Sequence, residues 1–189
     1  MEPRRRPGKT KEIQVISENV TGKSTLLIGD SITKNMERFA PSYPRFFPAF
    51  TVLNAGIAGD TVETILDRVE VMDIPSSVTH ISLLCGTNNL CSHSPATISS
   101  TITEILFLLR LKSPTAHIHL FPILPRFDQL QKHVTATNSL IYFQVQELFP
   151  EFFSTNCHPP YIIQICTGLT NSISPQKAMT SLSVGSTTA

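Results

Sequence analysis

Charge is scarce in this chain: only 15% of its 189 residues are Asp, Glu, Lys or Arg, against about 25% in an average globular protein. A net charge of +1 gives no field that gathers nucleic acid or an anionic membrane, so no nucleic-acid partner is expected. The one basic cluster, Arg4-Arg5-Arg6 with Lys9 and Lys11, sits in a Pro- and Gly-containing leader that reads as a solvated tail. Cysteine is sparse as well. Cys85, Cys91, Cys157 and Cys166 form no C-x-x-C pair and are too few to staple a chain of this length, which points to reduced thiols and a cytoplasmic setting. No apolar run reaches the ~18 residues that a membrane span needs. The N-terminal charge is not followed by the apolar stretch of a signal peptide, so the Asn19-Val20-Thr21 sequon has no expected use.

What is present is enough for one core. Hydrophobic residues make up 41% of the chain, and its length suits a single domain with ragged ends. Short apolar strands alternate with amphipathic helices. Strands are expected at 25–28, 50–53, 78–85 and 117–123. Helices are expected at 32–39, 61–71, 95–111 and 134–148, with Pro95 at a first helical turn and Asp60 or Thr61 capping the second helix. This β-α alternation predicts a parallel sheet with helices on both faces. A last strand at 161–166 is compatible with the pattern, and Ser/Thr-rich 167–189 reads as a loose tail. The domain organisation is therefore a basic leader at 1–22, a folded unit at 23–166 and a tail at 167–189.

Three of the predicted strands run directly into small, polar, glycine-containing turns: Gly29-Asp30-Ser31, Asn54-Ala55-Gly56-Ile57-Ala58-Gly59-Asp60 and Gly86-Thr87-Asn88-Asn89. In an open α/β sheet, loops leaving the carboxyl ends of neighbouring parallel strands converge on one crevice. Ser31, Gly59 and Asn88 are spaced by 28 and 29 residues, about one βα unit each. They would supply a hydroxyl, a bare backbone N–H and a carboxamide. Acyl transfer needs those parts: a nucleophile, and fixed donors for the oxyanion that forms when it attacks. Taken singly, each segment reads better as a helix cap or a tight turn.

In this order, after apolar strands, the three turns resemble the blocks of the SGNH (GDSL-type) hydrolases. The likeness runs from about Thr25 to Arg126, roughly half of the chain, and includes Ile123-Leu124-Pro125-Arg126. Within the family it is most similar to the catalytic subunits of intracellular platelet-activating-factor acetylhydrolase and related esterases. The resemblance implies a flavodoxin-like three-layer α/β/α sandwich, a small acyl-ester substrate, no metal or organic cofactor, and a homo- or heterodimer. It makes Ser31 the nucleophile, with its own N–H, the Gly59 N–H and the Asn88 side chain as the oxyanion hole. Asn89 stands where many members have Asp.

The family closes its catalytic triad with Asp-x-x-His near the C-terminus, and this chain has no Asp after Asp128. The nearest match is Thr155-Asn156-Cys157-His158-Pro159, with His158 as the base and Thr155 at the acid position. It falls 32 residues after Arg126, early for the family, so the fold is expected to be incomplete at its C-terminal end. His80, His93, His117, His119 and His133 are the other imidazoles, of which His93 follows the Asn88 turn closely. Losing the acid of a serine triad costs ~10⁴-fold in turnover and losing the base on the order of 10⁶, as in the serine-protease template. The alternative function is accordingly a catalytically impaired relative that serves as a binding or dimerisation module. Other motifs fail: Gly22-Lys23-Ser24 lacks the first glycine of a P-loop, Thr33 breaks G-x-S-x-G, and Gly56-Ile57-Ala58-Gly59 lacks dinucleotide-site spacing.

Overall fold

The apolar run Thr25–Gly29 forms β1, and its alternate residues Leu26 and Ile28 are fully buried. In the computed structural model, which describes residues 22–38, 51–149 and 163–165, β1 is flanked on both sides. It pairs in parallel with β2 (Val52–Gly56) and with β3 (His80–Leu84), and β3 pairs in parallel with β4 (His117–Leu120). A fifth strand, β5 (Ile163–Ile165), runs antiparallel to β4, giving the order β2-β1-β3-β4-β5. This is an α/β fold with four parallel strands. The expectation of a wholly parallel sheet is corrected at that edge. An edge strand has one neighbour, and its direction depends on which end of the sheet the chain re-enters from, which apolar patterning does not encode.

Helix α1 (Ser31–Asn35) is followed by a 3-10 turn at Met36–Arg38; α2 (Val62–Val71), α3 (Pro95–Lys112) and α4 (Gln131–Leu148) complete the set. Apolar positions of α2, α3 and α4 share one core with Leu26, Ile28, Ile81, Leu83, Ile118 and Leu120, and α3 lies between α2 and α4. Helix α1 packs instead on the face of Gly29 and Gly56. A Cβ added at Gly56 would come within 2.3 Å of the Lys34 backbone nitrogen, so only glycine lets β2 and α1 approach this closely.

Four boundaries moved, two of them for identifiable reasons. β2 continues through Asn54-Ala55-Gly56, residues with poor strand propensity, because pairing with β1 overrides it. β4 ends before Pro122, which has no N–H for the ladder. α4 starts three residues earlier than its apolar periodicity. The expected helix at 32–39 is only the five-residue α1 plus a 3-10 turn, so aligned peptide dipoles contribute little at Ser31. The leader at 1–22, apart from Gly22, and the tail at 167–189 lie outside the described residues. Among the described residues, no helix is long and apolar enough to cross a membrane.

Candidate active site

Gly29, the last residue of β1, is in register with Gly56 on one side and Leu84 on the other. The three turns therefore leave one edge of the sheet from aligned strand ends, with Ser31, Gly59 and Asn88 two, three and four residues beyond them. Ser31 opens α1 and is half-buried. Asp30 precedes it as the N-cap, its Oδ1 accepting from the Ile32 N–H at 2.8 Å, which fixes the turn that carries the hydroxyl. Asn54 ties α1 to β2: its Nδ2 donates to the Thr33 carbonyl at 2.7 Å, and its Oδ1 accepts from the Gly56 N–H at 2.9 Å.

Gly59 is exposed, adopts φ +74°, and has open space where a Cβ would point. The left-handed backbone, rather than crowding, calls for glycine there. Beyond it Asp60 is completely buried. The Asp60 carbonyl accepts a 2.7 Å hydrogen bond from Asn88 Nδ2, which links the second turn to the third. Asn88 itself lies exposed on the 3-10 turn Thr87–Asn89. The structure thus brings Gly59 and Asn88 together on a bridge that the sequence spacing alone did not reveal, with Ser31 at the same sheet edge.

Asn89 points the other way and is buried. Its Oδ1 accepts from the Val62 N–H at 2.9 Å while its Nδ2 donates to the Glu63 carboxylate, also at 2.9 Å. Only a carboxamide does both, because an ionised carboxylate has no hydrogen to give Glu63. That accounts for Asn where many resembling sequences carry Asp. Burial opposes ionisation of Glu63, but hydrogen bonds from its own backbone and from Thr61 and Asn89, with His93 nearby, hold its carboxyl below the usual range. His93 sits with Nε2 at 3.4 Å from Glu63 Oε1 and Nδ1 at 2.8 Å from Ser92 Oγ, so both of its nitrogens have neighbours.

The other histidines lie elsewhere. His80 stacks on His117 and His119 across β3 and β4, with ring centroids 5.2 and 6.0 Å apart. Burial, then the charges of His80 and His117, depress the pKa of His119. His133 is exposed on the first turn of α4. His158, the sequence-derived base, lies outside the described residues, as do Cys157 and Cys166. Cys85 and Cys91 are free thiols, and burial pushes that of Cys85 well up. Among the described residues, no group of three or more His, Cys, Asp or Glu side chains is placed to hold a metal ion.

Beneath the turns lies a residue the sequence reading passed over. Arg68 is 1% exposed and forms a 2.9 Å ion pair with Asp60. Its position in the stripe Val62, Ile65, Val69 of α2 was the available signal: a cation at i+3 from a core residue faces the core. Asp30 is close enough that, after burial, the charge of Asp60 is a further cause raising its pKa. Beside α1 runs an apolar groove of about 180 Å³ bordered by Leu27, Met36, Ser82, Leu84 and Phe121.

No family model matches the chain, and no curated protein matches it. Solved structures do. A candidate platelet activating factor from Streptococcus pneumonia is 25% identical, with a TM-score of 0.56 over 76% of this chain and 69% of that one. A GDSL-like lipase from Bacteroides thetaiotaomicron is 16% identical, with a TM-score of 0.56 over 78% and 79%. The SGNH-hydrolase family esterase AlinE4 is 17% identical, with a TM-score of 0.53 over 73% and 86%. Together with the three turns at aligned strand ends of this chain, these likenesses identify the chain as having the fold of the SGNH (GDSL-type) hydrolases.

Proposed function

We propose that this chain is an SGNH-type serine hydrolase of small acyl esters, acetyl esters among them. The observation that carries the reading is the Asn88-to-Asp60 bridge of 2.7 Å beside the exposed Gly59, at the sheet edge from which Ser31 also emerges. In this reading Ser31 Oγ attacks the ester carbonyl carbon and its proton passes to a base, for which His158 is the proposed residue. The oxyanion is held by the N–H groups of Ser31 and Gly59 and by the Asn88 carboxamide. Collapse expels the alcohol, which takes the proton. Water then hydrolyses the acyl-serine to the free acid and restores Ser31. A catalytic unit spanning 23–166, pairing with a second copy or a related subunit, and a cytoplasmic location belong to the same proposal.

The test is covalent labelling by a fluorophosphonate together with hydrolysis of p-nitrophenyl acetate. Labelling at Ser31 that vanishes in Ser31→Ala is expected; labelling unchanged in that variant overturns the assignment. One observation favours a second reading, a non-catalytic binding or dimerisation module: Thr155 stands at the acid position of the His158 block. Wild-type hydrolysis equal to that of Ser31→Ala, with cooperative unfolding, would select it.

A further inference from the structure

Arg68 reaches three separate pieces of chain at once. Its Nη1 donates to the Ala55 carbonyl at 2.7 Å, and its Nη2 donates to the Gly29 carbonyl at 3.4 Å and pairs with Asp60 Oδ2 at 2.9 Å. Those partners are the ends of β1 and β2 and the turn after β2. Asp60 is in turn held from other sides: Oδ1 accepts from Thr64 Oγ1 at 3.1 Å, and its N–H donates to the Ile57 carbonyl at 3.2 Å, closing the turn that contains Gly59. Its carbonyl is the acceptor to which Asn88 is anchored. One residue therefore follows Gly59 directly, its N–H closing the Gly59 turn, and its carbonyl fixes the Asn88 amide.

We propose that the buried Arg68–Asp60 ion pair is the positioning device for the Gly59 and Asn88 oxyanion donors, an inference that rests on the hydrolase reading above. Stability alone is a poor explanation for this pair. Burying two charges carries a large desolvation penalty for each ion, and apolar residues of equal volume often serve a fold as well or better. What a guanidinium adds is direction, because its planar fork fixes the orientation of the groups it binds. It also neutralises a carboxylate on the residue to which the Asn88 donor is anchored. A bare Asp60 charge there would repel the negative charge that develops in the transition state. Arg68 and Asp60 touch no substrate in this scheme; they act through the Asp60 backbone.

The experiment compares Asp60→Asn, Arg68→Lys and Thr64→Val with the wild type in two measurements. The first is ester hydrolysis resolved into kcat and KM. The second is the NMR signal of the Asn88 side-chain amide, its chemical shift and its rate of hydrogen exchange. A misplacement of 1 Å in catalytic geometry costs on the order of 10²-fold. Asp60→Asn is therefore expected to lower kcat by about ten- to a hundredfold with KM unchanged, and to shift the Asn88 amide signal and speed its exchange. Thr64→Val keeps both charges of the ion pair but removes the hydrogen bond to Asp60 together with the capping bond from the Thr61 N–H, so the same changes are expected at smaller size, with some loss of helix stability. It decides the matter if the other two variants do not fold. Cooperatively folding variants with wild-type kcat and unmoved Asn88 signals overturn the proposal. If the wild type hydrolyses nothing while the Asn88 signals still respond, the hydrolase reading fails and the positioning role stands.

Discussion

Gly56 and Gly59 are three residues apart, and the structure gives each a different reason to be glycine, so replacing each by alanine separates two effects. A Cβ on residue 56 would lie 2.3 Å from the Lys34 nitrogen and 2.8 Å from both the Lys34 Cα and the Thr33 carbonyl carbon. All three are backbone atoms that no rotamer change moves aside. Ordinary carbon contacts are about 3.5–4.0 Å, so α1 must retreat by more than ~1 Å, and overpacking of this kind costs about 1–3 kcal/mol or more. Gly59→Ala meets open space and bears only the left-handed penalty of about 1–2 kcal/mol. At ~2–4 °C per kcal/mol for a chain of this size, Gly56→Ala lowers Tm by up to roughly 10 °C and Gly59→Ala by a few degrees.

The functional consequences run in parallel. Gly56→Ala displaces the helix whose first residue is Ser31, so fluorophosphonate labelling slows along with the loss of stability. Gly59→Ala sets a methyl group beside a proposed oxyanion donor, so labelling slows by far more than its small stability loss accounts for. Differential scanning calorimetry and timed labelling on both variants make the comparison. If Gly56→Ala is no more destabilising than Gly59→Ala, the close approach of α1 to β2 is wrong, and with it the placement of Ser31.

Asn88→Ala removes the amide that donates to the Asp60 carbonyl and should lower kcat by about 10²–10³-fold, the usual cost of one oxyanion donor, with a Tm change within a few degrees; steady-state kinetics and melting check it. Asn89→Asp replaces a donor to Glu63 with a second carboxylate, so its Tm deficit relative to the wild type should be largest at pH 7 and shrink in acid as one of the two carboxyls takes a proton. Burial, and then the charge of Asp60, raises the Asp30 pKa above its ordinary 3.8, so the folded chain binds that proton more tightly than the unfolded chain does. The contribution of Asp30 to stability therefore falls as pH rises from 3.8 through the raised value, and the Tm of Asp30→Asn minus that of the wild type should climb over that window and then level off; a difference independent of pH refutes the assignment. Ile118→Ala, at a fully buried position of β4, should cost about 2–5 kcal/mol by denaturant unfolding.

Local patterning determined much of this protein. Alternating apolar strands and amphipathic helices from Thr25 to Leu148 specified an α/β fold, because burial of one stripe or one face is written at short range. Glycine-rich turns directly after strands put Ser31, Gly59 and Asn88 beyond neighbouring strand ends, because a crossover topology must bring such turns to one edge. Tertiary structure decided what depends on distant partners. The antiparallel β5, the extension of β2 through weak strand formers, and the separation of His93 from the stacked histidines of β3 and β4 follow from sheet pairing across tens of residues. Asn89 and Arg68 showed their roles only once α2 lay against the strand ends: a carboxamide between an N–H and a carboxylate, and a guanidinium among two carbonyls and an acid, are recognised by what surrounds them, and a sequence lists no surroundings.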